Sequence, residues 1–171
     1  MKKLLLSLLL VLPLYGFAQK GMQGVGMNLG LGMSFETSIA ANVCLNYQKH
    51  LNDRFRLSYS LGVYSAGYKY KNNTRYGYYN VYDYAHFGLI AADVHYFFNR
   101  PIRLRPYAIG GVLLGVGDIS GYVLPAIGGV KLGLGLTYRL GYHWAMNLEA
   151  PLYLAVPAGS FLPTLGLTYT F

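Results

Sequence analysis

Hydrophobic and polar residues alternate along most of this chain, and the last eight residues show the pattern most plainly. Leu165, Leu167, Tyr169 and Phe171 occupy every second position, with Gly166 and threonines between them. A period of two is typical of a β-strand whose two faces meet different surroundings. The pattern therefore predicts a strand that ends on an aromatic residue.

The same alternation recurs upstream and predicts eight strands in all. They cover about residues 21–35, 38–51, 55–70, 87–98, 105–116, 126–138, 142–156 and 164–171. The sixth is the clearest, because leucines at even positions alternate with Lys131, Gly133 and Gly135. The fifth is ambiguous, because Gly110-Gly111 is compatible with a bulge that exchanges its two faces.

Composition decides what kind of β-protein this is. Charged residues make up 12% of the chain and aromatic residues 16%, whereas an ordinary soluble domain has about 25% charged residues. These charges are too few to cover the outside of a soluble barrel, and no apolar run beyond the N-terminal segment is long enough for a spanning helix. The sequence therefore predicts an all-β fold, an eight-stranded antiparallel transmembrane β-barrel.

The N-terminal residues are predicted to be a cleaved signal peptide. Lys2 and Lys3 form a positive start, residues 4–14 are apolar, and small residues precede a cut after Ala18. This division gives a signal peptide at 1–18 and a barrel domain at 19–171. Export and an even number of strands place both termini in the periplasm.

This orientation assigns the connections to two sides of the membrane. Turns near 52–53, 99–104 and 139–141 are expected inside, and loops near 36–37, 71–85, 118–124 and 157–163 are expected outside. Only the 71–85 loop is long, and it is rich in tyrosine. Tyr76, Tyr78, Tyr79 and Tyr82 are candidate contacts for an external partner, since tyrosine gives large contact areas. Tyr68, Tyr70 and Tyr84, nearer the strands, fit an interfacial aromatic girdle instead.

Inward-facing polar residues predict a network in the lumen, which comprises Arg56, Asp93, His95, Lys131 and Glu149. Strands six and seven both turn odd-numbered residues inward, which requires a hairpin loop of odd length. A three-residue loop at 139–141 would pair Tyr138 with Tyr142 and set Lys131 directly opposite Glu149. Asp93 and His95 share a face and are expected to hydrogen-bond to each other. Together these residues are expected to fill the lumen of an eight-stranded barrel.

The sequence offers little for catalysis, metals or nucleic acids. The basic residues are scattered among turns, with no RNA-binding motif, so nucleic acid is not expected as a partner. Cys44 is the single cysteine, and no histidine or cysteine cluster has metal-ligand spacing. A Gly-x-Ser-x-Gly elbow is also absent. We therefore expect no cofactor, no metal and no enzymatic activity.

These features resemble the small outer-membrane β-barrel domain family of Gram-negative bacteria. The resemblance is carried by the signal peptide, the alternating strands, Arg105-Pro106-Tyr107 and the end 167–171. This family includes the OmpA-like membrane domain and the OmpX-like and opacity-type barrels. The resemblance implies an outer-membrane location, contact with membrane lipid and lipopolysaccharide, and recognition of Leu167, Tyr169 and Phe171 by the barrel-assembly machinery.

Three functions follow from this architecture. The first is a structural or surface-interaction protein at the cell surface that contacts an unknown extracellular partner through its loops, above all 71–85. The alternative is a narrow, porin-like channel or small-ligand transporter, favoured by the many inward glycines. A lipid-modifying enzyme is less well supported, because the His-x-Ser pair shared by lipid A deacylating barrels is absent from this chain.

Overall fold

The fold was analysed in a computed structural model of the chain. It describes residues 21–35, 39–74, 77–99, 103–119, 122–155 and 159–171. The predicted signal peptide and its cleavage site lie outside these residues. Among the residues described, no helix is long and apolar enough to cross a membrane.

The described chain is built of β-strands joined by short connections. The strands are β1 (Gln23–Ser34), β2 (Ile39–His50), β3 (Phe55–Thr74), β4 (Gly77–Phe97), β5 (Leu104–Ile119), β6 (Tyr122–Arg139), β7 (Trp144–Ala155), β8 (Ser160–Phe161) and β9 (Thr164–Thr170). Each strand from β1 to β7 pairs antiparallel with the next. Both β8 and β9 pair with β7 on one side and β1 on the other. Over the described residues the sheet is therefore a closed antiparallel barrel in which β8 and β9 share the eighth position.

Alternation sorts the side chains of the barrel wall into two environments. Apolar residues at every second position face outward, including Leu29, Leu61, Ile90, Leu134 and Leu165, each at least 50% exposed. Residues between them are buried and mostly polar, such as Asn46, Ser58, Asp93, Lys131 and Thr168. An apolar outside around a polar inside is the arrangement of a membrane barrel, because lipid covers the outer face.

The two ends of the barrel differ. At one end, which we call the short-turn end, lie the turns 51–54 and 140–143, the end of β4 and the last residue, Phe171. There Gln23 N donates to Phe171 O over 3.2 Å, and Phe171 N donates to Gln23 O over 2.8 Å. These bonds close the barrel between β1 and the C-terminal residue. The opposite end carries the β3–β4 hairpin, and we call it the ribbon end.

Three sequence-based boundaries were wrong at the ribbon end. The segment 71–85, predicted as a loop, is mostly strand, because β3 runs to Thr74 and β4 starts at Gly77. Likewise β6 begins at Tyr122 rather than near 126, and the paired residues Ser160 and Phe161 lie within the predicted loop 157–163. Turn-forming residues and tyrosines suggested loops here, but backbone pairing between neighbouring strands continues past them.

The predicted register of β6 and β7 was also wrong, by four residues along β7. Tyr138 pairs with Met146 rather than Tyr142, and Lys131 pairs with Tyr153 rather than Glu149. Leu140 N donates to Trp144 O over 2.9 Å, so the three-residue loop is 141–143 instead of 139–141. The odd loop length was correct, and both strands therefore turn odd-numbered residues inward. Two more residues of β6 pair before the chain turns. Every β6 residue therefore has a different partner on β7, while each side chain keeps the same face.

The pairing of β5 with β6 determines which residues of β5 face inward. Gly110 and Gly111 pair continuously with Leu132 and Lys131, so no bulge interrupts the strand there. The register shifts instead between Gly115 and Gly117. Because the pairing is continuous through Gly110 and Gly111, the strand keeps one inward face on both sides of them. That face carries the buried residues Arg105, Tyr107, Ile109 and Leu113.

The closing contacts of Phe171 predict separate roles for its backbone and its ring. Deleting Phe171 removes both backbone hydrogen bonds to Gln23 and should lower the yield of folded barrel strongly. Phe171→Ser keeps the backbone and loses only a ring that is 62% exposed, so it should fold more than the deletion. Heat-dependent gel migration of purified, refolded protein measures both. Equal yields from the two variants would contradict a role for the backbone closure.

Candidate functional site

The lumen contains a buried ion cluster at mid-height, formed by Asp93, Lys131 and Glu149. Lys131 Nζ lies 2.8 Å from Asp93 Oδ2 and 3.6 Å from Glu149 Oε2. All three residues are at most 5% exposed. Burial of this kind makes each charge depend on its partner, because removing one partner leaves the other without water or a counter-charge.

Glycines on the intervening strands allow these side chains to meet. Asp93 on β4 pairs with Gly111 on β5, which pairs with Lys131 on β6. Tyr107 on β5 likewise pairs with Gly135 on β6, which pairs with Glu149 on β7. The Tyr107 hydroxyl donates to Glu149 Oε1 over 2.8 Å. In both cases a side chain reaches across a glycine to the second strand along, where a Cβ on the glycine would collide with it.

Toward the short-turn end the lumen holds a stack of rings and guanidinium groups. Arg56 Nε donates to His95 Nδ1 over 3.0 Å, and the His95 ring stacks on Tyr107 with centroids 4.9 Å apart. Arg105 Cζ lies 3.9 Å from the centroid of the Phe97 ring. Asp93 and His95 do not form the predicted hydrogen bond to each other. Because they lie at successive heights in the lumen, Asp93 bonds to Lys131 and His95 to Arg56.

Toward the ribbon end the lumen is apolar and aromatic. The buried side chains there include Tyr64, Phe87, Leu113, Tyr153 and Leu162. Tyr64 stacks on Phe87 with centroids 6.1 Å apart and lies 6.5 Å from Tyr153. Between this layer and the ion cluster lies a cavity of about 20 Å³, lined by Asn42, Cys44, Ser60, Lys131, Glu149 and Tyr153 among others. A cavity of this size has room for about one water molecule.

All five residues predicted for the lumen network are buried inside the barrel, but they form two groups. Asp93, Lys131 and Glu149 are one group, and Arg56 with His95 is the other. Sequence reasoning missed Arg105 and Tyr107, which belong to the same network. The signal was present in the alternation of Arg105, Tyr107 and Ile109 with Leu104 and Pro106, but the Gly110-Gly111 ambiguity left the phase undecided.

The predicted surface tyrosines lie on the β3–β4 hairpin. Among the described residues, neither strand has another neighbour beyond Ala66 and Ala85, and 67–74 pair only with 77–84. We call this two-stranded segment the ribbon. Tyr78, Tyr79 and Tyr82 pair through their backbones with Asn73, Asn72 and Lys69. Tyr76 lies outside the described residues.

The predicted assembly residues lie on the outer face of β9 and at the residue that follows it. Leu167, Tyr169 and Phe171 are 45%, 38% and 62% exposed. Tyr169 packs edge-on against Trp144 of β7, with ring centroids 5.1 Å apart. These rings lie near the short-turn end, where aromatic side chains form the girdle of a membrane barrel. For metals, no group of three or more His, Cys, Asp or Glu residues is close enough to hold an ion in the described part of the chain.

The fold is shared with solved outer-membrane barrels. The N-terminal β-barrel domain of Pseudomonas aeruginosa OprF is 18% identical with a TM-score of 0.60, covering 89% of this chain and 100% of the domain. Yersinia pestis Ail, solved with the heparin analogue sucrose octasulfate, is 13% identical with a TM-score of 0.60 and coverages of 90% and 100%. Neisserial surface protein A is 12% identical with a TM-score of 0.59 and coverages of 90% and 98%.

Sequence comparison adds nothing to these likenesses, since no protein-family model matches the chain and no curated protein does. At these identities the structural likeness is one of fold. Together with the apolar outer face, it confirms the predicted eight-stranded barrel and its outer-membrane location.

The ion cluster predicts a ranked set of stability losses. Lys131→Met leaves two buried carboxylates unpaired and should cost about 3–5 kcal/mol. Asp93→Asn removes the 2.8 Å partner, whereas Glu149→Gln removes the 3.6 Å partner and retains an oxygen for Tyr107. Glu149→Gln should therefore cost least. Urea unfolding in detergent micelles measures all three.

A double variant and a surface control complete this test. Asp93→Asn combined with Lys131→Met should cost less than the sum of the single changes, because the two residues interact directly. Arg103→Met, at an exposed position of the short-turn end, should be near neutral. Additive losses would mean that Asp93 and Lys131 are not coupled.

Proposed function

We propose that this protein is a surface-interaction barrel, in which a filled barrel holds the ribbon outside the membrane for contact with an external partner. The observation that carries the proposal is that, in the part of the chain that the structure describes, residues 67–74 pair only with 77–84, beyond the last residues that pair with β2 and β5. A barrel that served only to span the membrane would not need this extension.

The composition of the ribbon supports a contact role. Its β4 arm, residues 77–84, contains four tyrosines and neither lysine nor proline. Its β3 arm contains Lys69 and Lys71, and lysine is a residue that discourages strand addition at a sheet edge. The β4 arm is therefore the more favourable edge for an extended segment of a partner, which would bond to its backbone and pack on tyrosine.

The filled lumen supports a scaffold in preference to a channel. The narrow-channel alternative requires a water path along the barrel axis. Two layers of side chains fill the lumen along that axis. One is the Asp93–Lys131–Glu149 cluster, and the other is the aromatic layer around Tyr64 and Tyr153. The cavity between them is about 20 Å³, which is too small for a hydrated ion.

Orientation and biogenesis complete the proposal. We place the short-turn end in the periplasm, because an exported chain with both termini at this end would insert with the ribbon outward. The outer face of the barrel would contact membrane lipid and, at the ribbon end, lipopolysaccharide. The barrel-assembly machinery would recognise the C-terminal segment through the exposed side chains of Leu167, Tyr169 and Phe171.

The ribbon can be tested separately from the barrel. Replacing Tyr78, Tyr79 and Tyr82 with Ser should leave heat-dependent gel migration unchanged, because none of the other strands described pairs with the ribbon. The same change should abolish cross-linking to the surface partner on intact cells. Tyr142→Ser, at a residue 96% exposed at the short-turn end, is the matched control and should cross-link normally. Normal cross-linking by the triple variant would overturn the contact role.

The filled lumen predicts negligible ion conductance in planar bilayers. Lys131→Ala combined with Tyr153→Ala removes side chains from both layers and should raise the conductance of any protein that still folds. A steady open conductance in the parent protein would instead support the channel alternative.

A further inference from the structure

The short-turn end of the lumen carries two arginines that form no ion pair among the described residues. Arg56 and Arg105 are each 2% exposed. Arg56 bonds to a neutral acceptor, His95 Nδ1, and Arg105 donates through Nη2 to the backbone carbonyl of Asp53. Within the described residues the recorded ion pairs both belong to Lys131. Buried charges without a counter-charge are costly, and folded proteins rarely retain them.

The ion cluster offsets only part of this charge. Its two carboxylates, Asp93 and Glu149, exceed its one ammonium, Lys131, by a single negative charge. Arg56 is the arginine next to the cluster, because it contacts the Tyr107 ring at 4.9 Å and Tyr107 bonds to Glu149. The remaining negative charge is therefore matched by Arg56. Arg105, further toward the short-turn end, is left without a match.

Arg105 is held in place but not neutralised. Its guanidinium lies on the Phe97 ring, and the face of an aromatic ring attracts a cation without carrying a net charge. Its Nε is buried and has no hydrogen-bond partner among the described residues. Asp53 lies in an exposed turn, contacts Arg105 through its backbone carbonyl, and forms no recorded ion pair with it through its carboxylate.

Arg139 adds a second guanidinium over the same opening. Its backbone is at the end of β6, yet its Nη2 lies 3.7 Å from Met22 Sδ, beside the start of β1. The side chain therefore extends from β6 toward β1 at the short-turn end. Arg105 extends from β5 to the backbone carbonyl of Asp53 at the same end. Two guanidinium groups of like charge thus approach one opening, with Arg56 behind them.

We propose that this opening is a binding site for a phosphate-class oxyanion, held between Arg105 and Arg139. The planar guanidinium fork matches the oxygens of phosphate and binds them through paired, charge-assisted hydrogen bonds. A bound oxyanion supplies the missing negative charge and an acceptor for Arg105 Nε. The chemistry fits free phosphate and the phosphate of an anionic lipid headgroup equally.

Calorimetric titration with inorganic phosphate tests the site directly. The refolded barrel is held in alkyl maltoside micelles, which contain no phosphate, at constant ionic strength in chloride. The parent protein should bind, and Arg105→Gln and Arg139→Gln should each weaken binding about tenfold, since each removes a charged hydrogen bond. Arg54→Gln is the matched control, because Arg54 is on the same rim but bonds to the Tyr96 hydroxyl. The affinity of the Arg54→Gln variant for phosphate should equal that of the parent protein.

A parallel titration with short-chain phosphatidylglycerol distinguishes the two sources. If the parent protein binds the lipid but not inorganic phosphate, and Arg139→Gln weakens lipid binding about tenfold, the site is assigned to a lipid headgroup. Binding of both assigns it to the phosphate group itself. The proposal is overturned if neither ligand binds the parent protein, or if Arg54→Gln weakens binding as much as Arg139→Gln.

Stability provides a readout that a merely structural arginine would not move. Phosphate should raise the unfolding midpoint of the parent protein and leave that of Arg139→Gln unchanged. In phosphate-free buffer Arg139→Gln should be at least as stable as the parent, because it relieves repulsion with Arg105. Arg139 is only partly buried, so this variant is expected to fold even if Arg105→Gln does not. An equal loss of stability with and without phosphate would reject the site.

Discussion

Closure of the sheet is the constraint on which the rest of this structure depends. In hydrocarbon a backbone N–H or C=O group has no water to bond to, so each must be paired within the protein. The chain satisfies this requirement by pairing β1 with both β2 and β9, so that the first and last strands meet. The reciprocal hydrogen bonds between Gln23 and Phe171 complete the seam. Alternation then follows, since a closed wall has one face to lipid and one to the lumen.

A narrow closed wall in turn determines the chemistry of the lumen. Eight strands leave room only for side chains, so polar residues that face inward have to bond to one another. Large side chains fit because glycine occupies the position between them, as Gly111 does between Asp93 and Lys131 and Gly135 does between Tyr107 and Glu149. Many inward glycines first suggested an open channel. In the structure they make room for the residues that fill the lumen.

The two ends of the barrel differ in the residues and strands that they present. At the ribbon end, backbone pairing continues past the neighbouring described strands, so residues 67–74 and 77–84 project as a two-stranded segment. At the short-turn end, arginines from β3, β5 and β6 approach one opening. The protein is thus asymmetric along its axis, with a tyrosine-rich surface at one end and a basic opening at the other. The two contacts proposed above lie at opposite ends of the barrel.

The sequence by itself determined the fold class, the number of barrel strands and the face of most residues, because alternation has a period of two and is read locally. It placed Lys131 and Glu149 inside for this reason. Only the tertiary structure decided register, since sliding β7 by four residues past β6 leaves every face unchanged while replacing every partner. It also decided the contacts of Asp93 with Lys131 and of Tyr107 with Glu149, which join strands that are not neighbours. The convergence of Arg105 and Arg139 was likewise beyond the sequence, because no local pattern records which side chains meet across a lumen.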